Sequence, residues 1–171
     1  MTTRRISLLS LLIALSVVGR MAFQFVPNIQ PMTAIILITS ILIGPVNGMI
    51  VAVLGCFLSN LLLGMGTWTI WQMLAWGILA LITGLLGKYV KSNRLIIFTP
   101  ISVLAGYLFG FVVSLNMFFL TDHGFAYYLA GLPFDTAHAI GNGIFFLLLY
   151  PVMRKTFEYY LKKKDYGVTM Q

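Results

Sequence analysis

Six apolar runs, parted only by short breaks of glycine, proline and charge, occupy almost the whole chain: residues 6–26, 31–43, 45–63, 68–89, 95–121 and 134–153. Runs of this kind fold as helices buried in hydrocarbon, because a helix satisfies every backbone N–H and C=O within itself. Composition excludes the alternative. Only 9% of residues are charged and mean hydropathy is +0.96, whereas a water-soluble domain carries about 25% charged residues. A crossing takes roughly 20 residues to span ~30 Å. The 171 residues therefore leave room for six crossings and no soluble catalytic domain.

The second run is short, since 13 residues rise only about 20 Å as a helix, and it either crosses or re-enters. Charge placement decides. If all six runs cross, every Lys and Arg except Arg20 falls on one face: Arg4 and Arg5, then Lys88, Lys91 and Arg94, then Arg154, Lys155 and Lys162 to Lys164. Basic residues collect in cytoplasmic loops. If the second run failed to cross, the Lys88–Arg94 cluster would change sides and the asymmetry would collapse. The expected fold is thus an all-α membrane protein, one domain over residues 1–171, a compact bundle of six transmembrane helices with both termini cytoplasmic. The net charge of +7 records this orientation and gives no pointer to nucleic acid.

Local signals fit that layout. The first run is longer than a signal-peptide core and lacks a convincing small-residue cleavage site, so it reads as a retained span. Gly44-Pro45 predicts a tight turn with proline at a helix start. Pro100 and Pro151 are expected to kink or end their helices. Residues 154–164 predict a helical extension in which Glu158 pairs with Lys162. The sole cysteine, Cys56, excludes an internal disulfide and a multi-cysteine metal site, and reads as a small packing residue.

Polar side chains are costly in hydrocarbon and face the bundle interior or a watery cavity. Arg20, Gln24, Asn28, Gln30, Asn60, Gln72, Asn116, Asp135, His138 and Asn142 all fall in the half of the membrane opposite the basic face. Asp135, His138 and Asn142, spaced i, i+3, i+7, share one helical face. Trp68, Trp71, Trp76, Phe23, Phe25 and Phe119 crowd the same level, as an interfacial belt or as walls of an outward-facing pocket. Arg20 either snorkels to the interface or serves that pocket, with Asp135 as a partner. Asp135, just after Pro133-Phe134, reads first as an N-terminal helix cap. His138 is either a packing histidine or a pocket residue. Three small-residue stripes, Ser7/Ser10/Ala14, Gly48/Ala52/Cys56 and Gly106/Gly110, read as helix-packing surfaces, the first being also a candidate face for another membrane subunit.

The chain lacks a Walker A loop, a G-x-S-x-G elbow, H-E-x-x-H and any Cys-His cluster, and no nucleophile, base and orienter assemble around His138. A non-enzymatic binding function without its own energy source remains, with no catalytic or metal residue and no prosthetic group.

Three segments carry a resemblance: Arg20-Met-Ala-Phe-Gln24 with Pro27-Asn-Ile-Gln-Pro31, Gly64-Met-Gly-Thr-Trp-Thr-Ile-Trp-Gln-Met73, and Pro133-Phe-Asp-Thr-Ala-His-Ala-Ile-Gly-Asn142. With six short spans and a basic cytoplasmic face, they resemble an S component, the membrane-embedded substrate-binding subunit of an energy-coupling-factor (ECF) vitamin transporter, most like the cobalamin-specific branch. The resemblance implies ATP-driven vitamin uptake across a bacterial plasma membrane. It also implies partnership with a transmembrane coupling protein (T component) and two cytoplasmic ATPases, which alone use ATP. It puts Arg20, Gln24, Asn28, Gln30, Trp68, Trp71, Gln72, Asp135, His138 and Asn142 at the vitamin site. Members of the family dock their partner through an Ala-x-x-x-Ala stripe on the first helix, which falls here on Ser10 and Ala14. Two competing expectations are a self-sufficient small-solute transporter or channel, and an intramembrane hydrolase around His138 and Asp135.

Overall fold

A computed structural model describes residues 3–161, all but short connections of it helical: α1 (Thr3–Ala22), α2 (Met32–Ile43), α3 (Pro45–Leu63), α4 (Trp68–Tyr89), α5 (Arg94–Leu120) and α6 (Gly124–Leu161). Five are long and apolar enough to cross a membrane, and α2 is shorter. Leu11, Val18, Leu62, Leu104 and Leu148 lie largely exposed on the outside of the bundle, the inverse of a soluble protein's surface. The fold is that of a multi-pass membrane protein.

The 12 residues of α2 rise about 18 Å, too little to span hydrocarbon while facing lipid. The helix has no need to, because every residue from Met32 to Leu42 is buried among the other helices. Its apolar character serves the protein core. The α1–α2 loop is exposed over residues 23–27 and half-buried over residues 28–30, and it enters the bundle at Pro31, which packs against Gly19: a Cβ there would sit 2.6 Å from the proline ring.

Contacts at both ends fix the direction of each helix. Arg5 at the start of α1 donates from Nε and Nη2 to Asn47 Oδ1 at the start of α3, at 2.9 and 2.6 Å. Arg20 near the end of α1 reaches Ser59 and Asn60 near the end of α3. Since α1 and α3 are parallel, α2 returns the chain between them. Gly44, at φ 98°, makes the reversal into Pro45, a backbone angle that glycine adopts without strain. The α5–α6 pair is held close by Gly106, where an added Cβ would lie 2.6 Å from the Ala139 backbone.

Several expectations are corrected. The first helix stops at Ala22 instead of running to Val26, and successive four-residue turns (Gln24 N–H to Met21 O, Val26 N–H to Phe23 O, Ile29 N–H to Val26 O) lead the chain toward α2. Of the two outcomes expected at Pro100 and Pro151, a kink or an end, the end is excluded, since both lie inside their helices, as the runs drawn through them imply. Leaving a helix in an apolar setting would strand a whole turn of polar groups, so one missing N–H is the smaller cost. For the same reason α6 starts at Gly124 and passes through Pro133, where the sequence reading placed a loop and a helix start at 134. Glu158 pairs with Arg154, Nε to Oε1 at 2.8 Å; its expected partner Lys162 lies outside the described residues.

The basic residues gather at one end. Arg94 donates to the carbonyls of Val90 (2.7 Å) and Gly87 (2.9 Å), closing the C-terminus of α4 where a cation suits the dipole. Arg5, Arg94 and Arg154 share this end, and the polar residues singled out above lie toward the other.

Candidate functional site

Arg20 sits in the last turn of α1, in reach of α3 and α4. Its Nη1 donates to Ser59 Oγ at 2.7 Å and Asn60 Oδ1 at 2.6 Å, and Nη2 reaches Gln72 Oε1 at 3.5 Å. The guanidinium also lies 5.3 Å from the Trp76 ring centroid, a cation–π distance. Asn60 donates to Thr69 Oγ1 (2.9 Å) and Gln72 Oε1 (2.8 Å). Each hydrogen-bond acceptor of Arg20 is therefore a neutral oxygen. The suggested pairing with Asp135 is not made.

The α1–α2 loop lies above this cluster and encloses a cleft of about 270 Å³ lined by Arg20, Phe23, Gln24, Val26, Asn28, Ile29, Gln30 and Leu63. Four expected site residues, Arg20, Gln24, Asn28 and Gln30, thus meet on one cavity, with Gln72 behind the guanidinium. One charge and three amides among apolar walls give hydrogen-bond donors and acceptors at fixed places in a largely apolar cleft, the chemistry of a small-molecule site.

The other expected residues are elsewhere. Trp68 lies over Gly66, exposed, and Trp71 stacks on Phe119, with centroids 5.4 Å apart and planes at 20°. His138 is fully buried, hydrogen-bonded through Nδ1 to the Asn28 carbonyl and through Nε2 to Thr33 Oγ1. Asp135 is 6% exposed, inside α6 and therefore not a cap. Its carboxylate fills the space left by Gly110, where any Cβ would overlap it. Asp135 Oδ2 and both amide atoms of Asn142 are buried without a hydrogen-bond partner. Such groups are costly when unmet and lie on the α6 face predicted to be polar. Among the described residues no group of His, Cys, Asp and Glu is placed to hold a metal ion.

Sequence reasoning missed Ser59, Thr69, Thr33 and the second role of Trp76. A partial signal existed: Ser59-Asn60 and Thr69/Gln72 place polar groups together on facing helices. The stripes on α3 and α5 do pack within the chain. That on α1 does not, since Ser7, Ser10 and Ala14 are exposed. Ser10 and Ala14 line an apolar groove of about 580 Å³ with Ile13, Val17, Val18 and the α3 residues Leu54, Leu58, Leu61 and Leu62.

Comparison with known proteins brings in the rest. Residues 1–155 match the family model described as "ECF-type riboflavin transporter, S component". Among curated relatives, a "UPF0397 protein" of Streptococcus pneumoniae (strain Hungary19A-6) is 36% identical over 92 residues, covering 48% of this chain and 50% of the relative. The "UPF0397 protein" of S. pneumoniae serotype 19F (strain G54) is 35% identical over the same length and shares. The chain spans about half the length of the curated relatives it matches. No solved structure matches.

Proposed function

The chain belongs to the family of ECF-type transporter S components, and from that premise we propose that it is the substrate-specificity subunit of a vitamin uptake system. The observation that carries this reading is the convergence of Arg20, Gln24, Asn28 and Gln30 on one apolar-walled cleft at the end of the bundle away from the basic residues. By the preference of Lys and Arg for the cytoplasmic side, that cleft faces outward, both termini face the cytoplasm and α2 completes a sixth passage through the bilayer.

The proposed ligand is cobalamin. The amide-rich rim of a corrin matches the three amide side chains of the loop, and its aromatic lower base matches the exposed Trp68 and the Trp71–Phe119 stack. A corrin exceeds a cleft of about 270 Å³, so it must lie partly across the mouth or widen it by moving the α1–α2 loop. Riboflavin is the second reading, favoured by the description of the matching family and by the cleft's modest volume. Saturation binding of labelled cobalamin to the purified chain in nanodiscs without ATP, with riboflavin as competitor, separates them. Saturable cobalamin binding untouched by riboflavin supports the first; saturable riboflavin binding with no cobalamin uptake overturns it.

Energy comes from partners in this proposal: a T component docks on the exposed Ser10/Ala14 groove and two cytoplasmic ATPases drive transport. Serine in place of the family's alanine still leaves a small side chain, so close helix approach is retained. The hydrolase alternative loses its geometry, because both ring nitrogens of His138 are engaged by protein atoms.

A further inference from the structure

Between α2, α4 and α6 a line of hydrogen bonds runs through the centre of the bundle. Trp76 Nε1 lies 2.8 Å from Thr33 Oγ1, Thr33 Oγ1 lies 3.1 Å from His138 Nε2, and His138 Nδ1 lies 2.8 Å from the Asn28 carbonyl. The two ends fix its direction. An indole N–H only donates and a carbonyl only accepts, so Trp76 gives its proton to Thr33 and Nδ1 carries the ring proton toward Asn28. Nε2 of the neutral ring then accepts the Thr33 hydroxyl proton. This polarity leaves no donor unplaced in the line. Trp76, Thr33 and His138 are all almost completely buried, and none lines the cleft.

What the line holds is the α1–α2 loop. Asn28 sits at φ 59°, a left-handed angle that asparagine tolerates better than most residues but that still needs outside support. That support comes from α6 twice, through the His138 bond to its carbonyl and through its own Nδ2, which donates to Phe134 O at 3.0 Å. Ile29 packs beside it on Gly141. Gln24 and Gln30, on either side of Asn28, line the same cleft.

We propose that Trp76, Thr33 and His138 are positioning residues for the ligand site: a one-way hydrogen-bond relay that fixes Asn28 on α6 and so holds the amide-bearing loop in its binding geometry. The proposal rests on the reading of the cleft as the vitamin site. The test uses the full chain in nanodiscs. With His123→Gln, His138 is the sole histidine, and nitrogen NMR of the ligand-free protein is expected to show a neutral ring protonated at Nδ1; protonation at Nε2 overturns the relay. Thr33→Val keeps shape and removes the hydroxyl, while Thr33→Ser keeps the hydroxyl. The valine variant should speed amide exchange of residues 24–30 and cobalamin dissociation by about tenfold, the scale of one buried hydrogen bond, and the serine variant should stay near the parent. Equal exchange and equal dissociation in both variants overturn the relay while leaving the vitamin site intact. Faster loop exchange in the valine variant of a chain whose parent binds neither cobalamin nor riboflavin supports the relay's hold on the loop and overturns the vitamin reading.

Discussion

Arg20 shows how one residue links sequence, packing and function. A guanidinium held by neutral oxygens from Ser59, Asn60 and Gln72 keeps a net positive charge beside the cleft, and in the proposed function it donates to acceptor oxygens of the ligand. Lysine keeps the charge but not the planar fork. Arg20→Lys should weaken vitamin binding roughly tenfold or more, equivalent to about 1.4 kcal/mol, and Arg20→Gln should weaken it further. Isothermal titration would show either change. Gly106 makes a second residue-scale prediction. Because its missing Cβ would meet the Ala139 backbone and not a movable side chain, Gly106→Ala should cost about 1–3 kcal/mol by overpacking, read as a lowered melting temperature in detergent. Arg20, Gln24, Asn28 and Gln30 were legible in sequence because a large polar group in an apolar run has to be accounted for by its surroundings. Thr33, Ser59 and Thr69 were not, because a hydroxyl in a helix can satisfy itself on the carbonyl one turn back, as Ser16, Thr39 and Thr83 do here. Only the neighbouring Asn60 and Gln72 hint at Ser59 and Thr69, and nothing in the sequence marks Thr33.

Helix ends show where sequence rules transfer to a bilayer and where they fail. The bounds of α3 and α4 were readable to the residue, since Gly44-Pro45 and the flanking glycines and charges interrupt the apolar pattern outright. Proline at 133 misled, because its power to end a helix depends on water being ready to take the freed backbone groups, whereas the apolar runs were read through Pro100 and Pro151. That misreading moved Asp135 to a helix start and hid its burial against Gly110. The burial of α2 was hidden as well, since an apolar run reads alike whether it faces lipid or protein. The exposed face of α1 carries the element-scale prediction. Ser10→Leu with Ala14→Leu should fill the groove shared with Leu54 and Leu58 and abolish co-purification with a coupling protein. Vitamin affinity of the isolated chain should stay within about twofold, because additive behaviour is expected of sites that share no partners.

At the scale of the whole molecule, two unlike ends define the protein. Basic side chains close one end, and a loop folded back into the bundle roofs a polar cluster at the other. The chain has a cleft and the sequence carries no nucleotide-hydrolysing motif, an arrangement that fits a subunit driven by others. Concentrative uptake into proteoliposomes should therefore require co-reconstitution with a coupling protein and ATPases, and this chain alone should give binding but no ATP-independent flux. Steady flux from the chain alone would favour the small-transporter reading. The most direct test of the central claim is equilibrium binding of labelled cobalamin and riboflavin to the purified full chain in nanodiscs without ATP, beside Arg20→Gln. Saturable binding of one of these vitamins, lost or strongly weakened in the variant, is the predicted result; absence of saturable binding by either vitamin, or binding indifferent to Arg20, would contradict it.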